Sequence, residues 1–159
     1  MIKDKKNALY WSELGMKYFK TGDYIKAIES FERAIKINPL SSVSWSNMGV
    51  AYEMIENFGK ERECCKKAVS IDPLDNWAWY NLGVAYEKLG KSQDSILSYE
   101  EAIKIDPQDS ATWFNLGRLF KSLGAFKKAM QCFAEVLKID PVNIEAEKLL
   151  HGLKENKIQ

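Results

Sequence analysis

The sequence is poor in the residues that carry most enzyme and metal chemistry. It has one histidine, His151, and three cysteines, Cys64, Cys65 and Cys132. An odd count with an adjacent pair does not fit a disulfide framework, so we expect a reducing, cytoplasmic location. No CxxC pair, phosphate-binding glycine loop or nucleophile elbow occurs. We therefore predict no catalytic residues, no metal site and no cofactor, and a protein that is not an enzyme.

An excess of one charge and long apolar runs are lacking as well. The sequence has 23 Lys and Arg against 22 Asp and Glu, for a net charge of +1. A protein with this charge balance lacks the excess of positive charge that is typical of a general nucleic-acid binder. No apolar run is long enough to cross a membrane, and residues 1–10 have no apolar core typical of a signal peptide. We predict neither nucleic acid as a partner nor membrane insertion.

Proline and glycine are few, and their positions are periodic. All four prolines and four of the nine glycines recur every 34 residues, as do four of the five tryptophans. Such a period is typical of a repeat array, in which each unit buries its apolar face against its neighbours. The columns are Trp11, Trp45, Trp79 and Trp113; Gly15, Gly49, Gly83 and Gly117; and Pro39, Pro73, Pro107 and Pro141.

Each unit is predicted to form two helices joined by a turn. Apolar residues recur at i, i+3, i+4 and i+7 from each tryptophan, which places them on one helical stripe. A glycine such as Gly22 fits the turn because it accepts a positive φ, and the second helix should end before the proline. The predicted organisation is an N-terminal polar segment at 1–7, repeats at 8–41, 42–75, 76–109 and 110–143, and a capping helix with a tail at 144–159.

The motif Trp-x-x-Leu-Gly-x-x-Tyr, followed by Ala-x-x-x-Phe-x-x-Ala and a proline, resembles the tetratricopeptide repeat over nearly the whole chain. The resemblance implies an all-α, right-handed superhelical α-solenoid of stacked antiparallel helix pairs. It also implies a concave groove lined by the first helix of each pair, and a role in protein–protein interaction. Some chaperone adaptors of this family hold a carboxylate with basic residues; here Ser12, Met16 and Trp77 occupy such places, so that clamp is not expected.

The second unit departs from the pattern. Glu61 takes the small-residue position of Ala27, which we expect to face the glycine column, and Cys65 takes the position of Phe31. A carboxylate at a close helix contact is costly unless it is paired or reaches solvent, so this unit should be the least well packed. Either the neighbouring units tolerate this drift, or the unit is a hinge or a partner contact. Cys65 should be buried, whereas Cys132 is expected to be partly exposed.

The face opposite the tryptophan stripe should line the groove. An α-helix turns roughly 100° per residue, so this face holds the positions at −2, +2, +5 and +9 from each tryptophan. It carries apolar residues, which in a concavity usually mark a partner site. The predicted peptide-binding residues, with flanking positions, are Asn47, Val50, Met54, Trp77, Tyr80, Asn81, Val84, Lys88, Phe114, Asn115, Arg118 and Lys121.

Two features of this face leave alternatives open. The amides of Asn47, Asn81 and Asn115 can pair with the N–H and C=O of an extended peptide, or can bond to water or a neighbouring helix. Trp77 with Tyr80 and Phe114 can form an aromatic pocket for a partner's apolar side chain, or the latter two can pack between repeats.

These observations predict a non-enzymatic adaptor that binds a peptide or short helix of a partner protein in its concave groove. The alternative is a structural, self-assembling scaffold or a segment of a larger array of the same repeats. Under that alternative a homo-oligomer would form through the solenoid ends or the groove.

Overall fold

The computed structural model describes residues 7–155, which form nine α-helices without a strand. Most of the predicted N-terminal polar segment (1–6) and the end of the predicted tail (156–159) lie outside the described residues. None of the described helices is long and apolar enough to span a membrane. The helices are α1 Ala8–Lys20, α2 Tyr24–Ile37, α3 Ser42–Glu53, α4 Phe58–Ile71, α5 Asn76–Lys88, α6 Ser92–Ile105, α7 Ser110–Ser122, α8 Phe126–Ile139 and α9 Ile144–Glu155.

The helices stack in chain order, as the repeat period predicts. Within each repeat the first helix packs on the second (α1 on α2, α3 on α4, α5 on α6, α7 on α8), and each second helix packs on the next first helix. First helices of successive repeats also touch, α1 on α3 and α3 on α5. The first helices therefore share one side of the solenoid, which is the side predicted to bind a partner.

Local sequence signals set where the helices begin and end. Most helices begin at an Asn, Asp or Ser whose side chain accepts a backbone N–H of the first turn, as Asp75 does from Ala78 at 3.1 Å. The second helices end two residues before each proline, and the residue between, such as Asp72, has an extended backbone. Gly22, Gly90 and Gly124 have positive φ in the turns, as predicted, and Glu56 takes the same conformation with φ 58° in the second repeat.

The tryptophan and proline columns are joined by a hydrogen bond. The indole Nε1 of Trp79 donates to the carbonyl oxygen of Pro73 at 3.0 Å, and Trp45 and Trp113 make the same bond to Pro39 and Pro107. The prediction that this column is buried core is only partly correct, because these rings are half-buried. Each ring spans the junction between two repeats, with its indole edge at the surface.

The glycine column faces a large side chain as well as the small one predicted. A Cβ at Gly83 would lie 2.6 Å from the ring of Tyr99, and one at Gly15 would lie 2.6 Å from Phe31. The small position lies there too, because Ser95, the counterpart of Ala27 in the third repeat, donates to the carbonyl oxygen of Gly83 at 2.8 Å. The absence of a Cβ makes room for an aromatic ring against the backbone, which brings the paired helices together.

The core runs through the solenoid as three clusters of buried side chains, one of which includes α9. Ala146 and Leu153 of α9 are buried, and Leu149 and Leu150 pack against the same cluster. The predicted capping role of this helix is thereby confirmed. Cys65 is fully buried as predicted, but Cys132 is only 4% exposed, which contradicts its predicted partial exposure. It lies on the side of α8 that packs against α7.

Candidate functional site

One groove collects most of the predicted binding residues. It has a volume of about 370 Å³ and lies on the first helices of repeats two, three and four. Eight of the twelve predicted residues line it, so residues separated by up to 68 positions in sequence meet in one place. They are Val50, Trp77, Tyr80, Asn81, Val84, Lys88, Asn115 and Arg118.

An aromatic wall forms one side of the groove. The ring of Trp77 stacks on that of Tyr80, with centroids 5.2 Å apart and planes 15° from parallel. Tyr80 in turn contacts Tyr99 of α6, with centroids 6.0 Å apart. Trp77 remains 50% exposed, whereas Tyr80 is half-buried and packs against the core. Tyr80 thus belongs to the aromatic wall and also packs against the core, and Trp77 presents an open apolar surface to solvent.

The three asparagines do not form a uniform ladder. Asn115 Nδ2 donates to the hydroxyl of Tyr80 at 2.9 Å, so this amide bonds to a neighbouring helix. Asn81 lies on the face predicted to line the groove, but it is only 2% exposed, and its Nδ2 has no hydrogen-bond acceptor in the described structure. Asn47 lies apart, in a cavity of about 500 Å³ shared with α1 residues such as Met16.

The remaining predicted residues lie outside the main groove. Phe114 lines an adjoining cavity of about 260 Å³ together with Tyr80 and Asn143, and its ring packs on Phe133 at 5.8 Å. Met54 and Lys121 are exposed and line neither cavity. Their positions around the helix axis predict that they line the groove, but those positions take no account of where the neighbouring repeats lie.

The groove also contains groups outside the predicted set, namely Glu53, Glu87 and Tyr99. The hydroxyl of Tyr99 donates to Glu87 Oε2 at 3.0 Å, and burial raises the pKa of that hydroxyl. Burial also raises the pKa of Glu53, against the opposing charge of Lys88. The Lys88 ammonium lies 5.9 Å from the centre of the Phe58 ring. Tyr99 gives no signal in the sequence because it occupies the aromatic position of an ordinary core residue.

The groove offers hydrogen-bonding groups and aromatic surface. Among residues 7–155, no group of three or more His, Cys, Asp or Glu side chains is arranged to hold a metal ion. The groove is lined by the Asn81 amide, the exposed Trp77 ring, the carboxylates of Glu53 and Glu87 and the cations of Lys88 and Arg118. Such a set is suited to binding and orienting a peptide.

Family models described as tetratricopeptide repeat match residues 8–39, 77–109 and 110–143, and a second model of the same description matches 43–73. The chain belongs to the tetratricopeptide repeat family. Its fold is the right-handed superhelical solenoid of that family, and the family supports a protein-interaction module as the general role. No curated protein sequence matches the chain.

Solved structures of this repeat family resemble the chain over most of its length. The crystal structure of MamA protein matches with a TM-score of 0.87 and 25% identity, covering 94% of this chain and 82% of that one. YrrB, described as a TPR protein with an unusual peptide-binding site, has a TM-score of 0.81 at 17% identity, covering 98% and 80%. The first TPR of Spaghetti (RPAP3), bound to the HSP90 peptide SRMEEVD, has a TM-score of 0.73 at 26% identity, covering 76% and 96%.

Proposed function

We propose that this chain is a non-enzymatic adaptor that binds a peptide or short helix of a partner protein in the groove lined by Trp77 and Asn81. One observation carries the proposal: a half-exposed tryptophan and a buried amide without an acceptor line the same groove. A bound peptide would cover the exposed Trp77 ring, and its carbonyl groups would offer the Asn81 amide a hydrogen-bond acceptor.

Two solved relatives support this role. One is described by its peptide-binding site, and another holds an HSP90 peptide. The sequence of this chain lacks the basic pairs expected for a carboxylate clamp, since Ser12 and Trp77 take such places. We therefore propose that the groove recognises an internal segment of its partner.

The test compares affinity capture from native lysate by the wild type and by a Trp77→Ala/Asn81→Ala variant, with bound proteins identified by mass spectrometry. Leu97→Ala is the matched control. Leu97 of α6 is 52% exposed, close to the 50% of Trp77, but it does not line the groove. We expect partners to remain on the control and to be lost from the groove variant. Equal retention by a groove variant that circular dichroism shows to be folded would contradict the proposal.

Self-association is a second candidate, favoured by apolar exposure at the first repeat. Leu9 of α1 and Ile25 of α2 are 64% and 57% exposed, and exposed apolar surface is a common feature of contact sites. Light scattering should then show a mass that increases with concentration. A constant monomer mass at high concentration would eliminate this candidate.

A further inference from the structure

The second repeat departs from the repeat pattern at two neighbouring positions, Glu61 and Arg62. Glu61 is 0% exposed, and neither of its carboxyl oxygens has a hydrogen-bond partner in the described structure. Its carboxyl is enclosed by protein and out of reach of a partner. Arg62 is only half-buried, and its position holds an apolar residue in the other repeats, Ile28, Ile96 and Met130. The exchange of an apolar side chain for a cation therefore changes the surface of the molecule at this point.

Arg62 is one of four cations that line a single cavity, here called the basic cavity. The cavity has a volume of about 450 Å³ and lies between α4 and the start of α6. None of its lining residues lines the groove that contains Trp77 and Asn81. Tyr86 of α5 and two carboxylates complete the lining, so four positive charges face two negative ones. The cations are those of Arg62, Lys66, Lys67 and Lys91, and the carboxylates those of Glu63 and Asp94.

The basic character is confined to this junction between repeats. One repeat later, the positions of the four cations hold Ile96, Glu100, Glu101 and Ala125. One repeat earlier, they hold Ile28, Glu32, Arg33 and Asn57. The neighbouring junctions thus fold with no cation or with one at these positions, and the repeat fold itself does not require the other cations.

The four cations of the basic cavity have no carboxylate partner of their own. No ion pair within 4.0 Å involves any of them among residues 7–155, and Glu63 pairs instead with Lys60 at 3.0 Å. In α6 and α8 the position of Lys67 holds a glutamate, which pairs with a lysine three residues further on. Arg62 and Lys66 are four residues apart in α4, a spacing at which like charges repel. An anion between them would relieve this repulsion.

We propose that the basic cavity binds an acidic segment of a partner protein, whose aspartate and glutamate side chains lie between α4 and Lys91. The cations of α4 extend over more than one helical turn, and Lys91 lies beyond them. Several carboxylates along a peptide match this spread of charge better than one phosphate group does. Glu63 and Asp94 also repel a compact dianion more than a chain that passes between them.

A lipid bilayer or a nucleic acid is the weaker candidate for this site. Both present dense negative charge and bind best to an extended positive surface. The chain as a whole has a net charge of only +1, and the basic cavity itself contains carboxylates. Complementary charges of limited extent are typical of protein partners, in which they fix orientation and speed association. This site does not rest on the proposed function of the groove.

The experiment measures the fluorescence anisotropy of a labelled oligoglutamate peptide of about eight residues, titrated with the full chain at low salt. Lys66→Glu/Lys67→Glu is the test variant, and it should fold because α6 has glutamate at both matching positions. Lys127→Glu/Lys148→Glu is the control, since it changes the net charge equally at two exposed lysines outside the basic cavity. We expect the control to bind within about threefold of the wild type and the test variant to bind at least about tenfold more weakly.

Two further measurements check that charge in the basic cavity is the cause. Arg62→Gln should weaken binding about threefold, and salt at about 0.5 M should abolish most of it, because exposed charges are then screened. Equal affinities of the test variant and the control would refute the proposal, as would no binding by the wild type at up to about 1 mM chain. If the test variant does not fold by circular dichroism, Arg62→Gln decides, and an unchanged affinity there would refute the proposal.

The same titration separates the other occupants and the other site. Cavity-dependent binding of phosphatidylserine vesicles or of a single-stranded oligonucleotide, without binding of oligoglutamate, would overturn the choice of partner. Trp77→Ala/Asn81→Ala should bind oligoglutamate as the wild type does. Loss of binding in that variant would place the acidic segment in the groove and overturn this inference. Loss of lysate partners from the groove variant bears only on the proposed function.

Discussion

At the residue scale, the two neighbouring tryptophans of α5 have opposite roles. Trp79 spans the junction of two repeats and donates to the carbonyl oxygen of Pro73, whereas Trp77 is 50% exposed and stacks only on Tyr80 within the groove. Trp79→Ala should lower the free energy of unfolding by about 2–4 kcal/mol, less than full burial would give. Trp77→Ala should lower it by less than about 1 kcal/mol. Urea unfolding of both variants checks this, and equal losses would mean that the two faces of α5 are misassigned.

Glu61 should make stability depend on pH in a direction opposite to that of a paired carboxylate. Its pKa is about 8 in the folded chain, because of burial and Glu53, and about 4.3 when unfolded. Between these values the folded state binds more protons, so the free energy of unfolding falls as pH rises and levels off above pH 8. Relative to Glu61→Gln, the wild type should lose about 3 kcal/mol between pH 5.5 and pH 9.

Urea unfolding of the wild type and Glu61→Gln at several pH values measures this difference, with Glu29→Gln as a control because Glu29 is exposed on α2. Other titrating groups affect all three proteins alike and cancel in the comparison. A stability difference between wild type and Glu61→Gln that stays constant with pH would show that Glu61 is not desolvated as described.

At the element scale, three of the four helix pairs depend on a glycine that touches an aromatic ring. A Cβ at Gly83 would lie 2.6 Å from two atoms of the Tyr99 ring, and the ring itself is fully buried. Gly83→Ala should therefore force α5 and α6 apart and destabilise the chain by about 2–4 kcal/mol. Gly152→Ala in α9 is the control, because its Cβ would meet no atom within 4 Å.

That control should stabilise the chain by about 0.5–1 kcal/mol, since alanine favours helix over glycine. Thermal unfolding of the two variants would then show shifts of opposite sign. Two stabilising substitutions would mean that the ring of Tyr99 moves aside without strain, and the proposed reason for the glycine column would be wrong.

The elements show how far the sequence predicts the structure. Helix ends, positive-φ turns and stacking order follow from local signals that repeat at one spacing, such as the residue before Pro73 and the turn at Gly90. The groove was predicted less well because each first helix is covered on more than one side. Asn81 is therefore buried although it lies opposite the tryptophan stripe. Glu53 and Lys88 line one groove because α3 and α5 pack together, and no local pattern in the sequence encodes this.

At the scale of the whole molecule, the main helix–helix contacts within residues 7–155 join helices that are one or two places apart in the chain. Helix α9 packs on α8 and contributes Ala146 and Leu153 to a core cluster that reaches back to Tyr99 in the third repeat. The stability of such an array is close to a sum of the repeats and their nearest-neighbour interfaces. A substitution that destabilises α9 should consequently lower local stability most in the fourth repeat, and progressively less toward the first.

Leu153→Asp tests this because Leu153 is 5% exposed in the cluster. Loss of the apolar contact and burial of a charge should together remove at least about 3 kcal/mol of local stability. Hydrogen exchange should become fast in α7, α8 and α9 while α1 to α4 keep their protection, because opening need not spread beyond the neighbouring interface. Lys154→Asp changes an exposed neighbour and should leave exchange unaltered throughout. Equal loss of protection in all repeats would instead show a single cooperative unit, in which a partner bound in the groove would stabilise both ends alike.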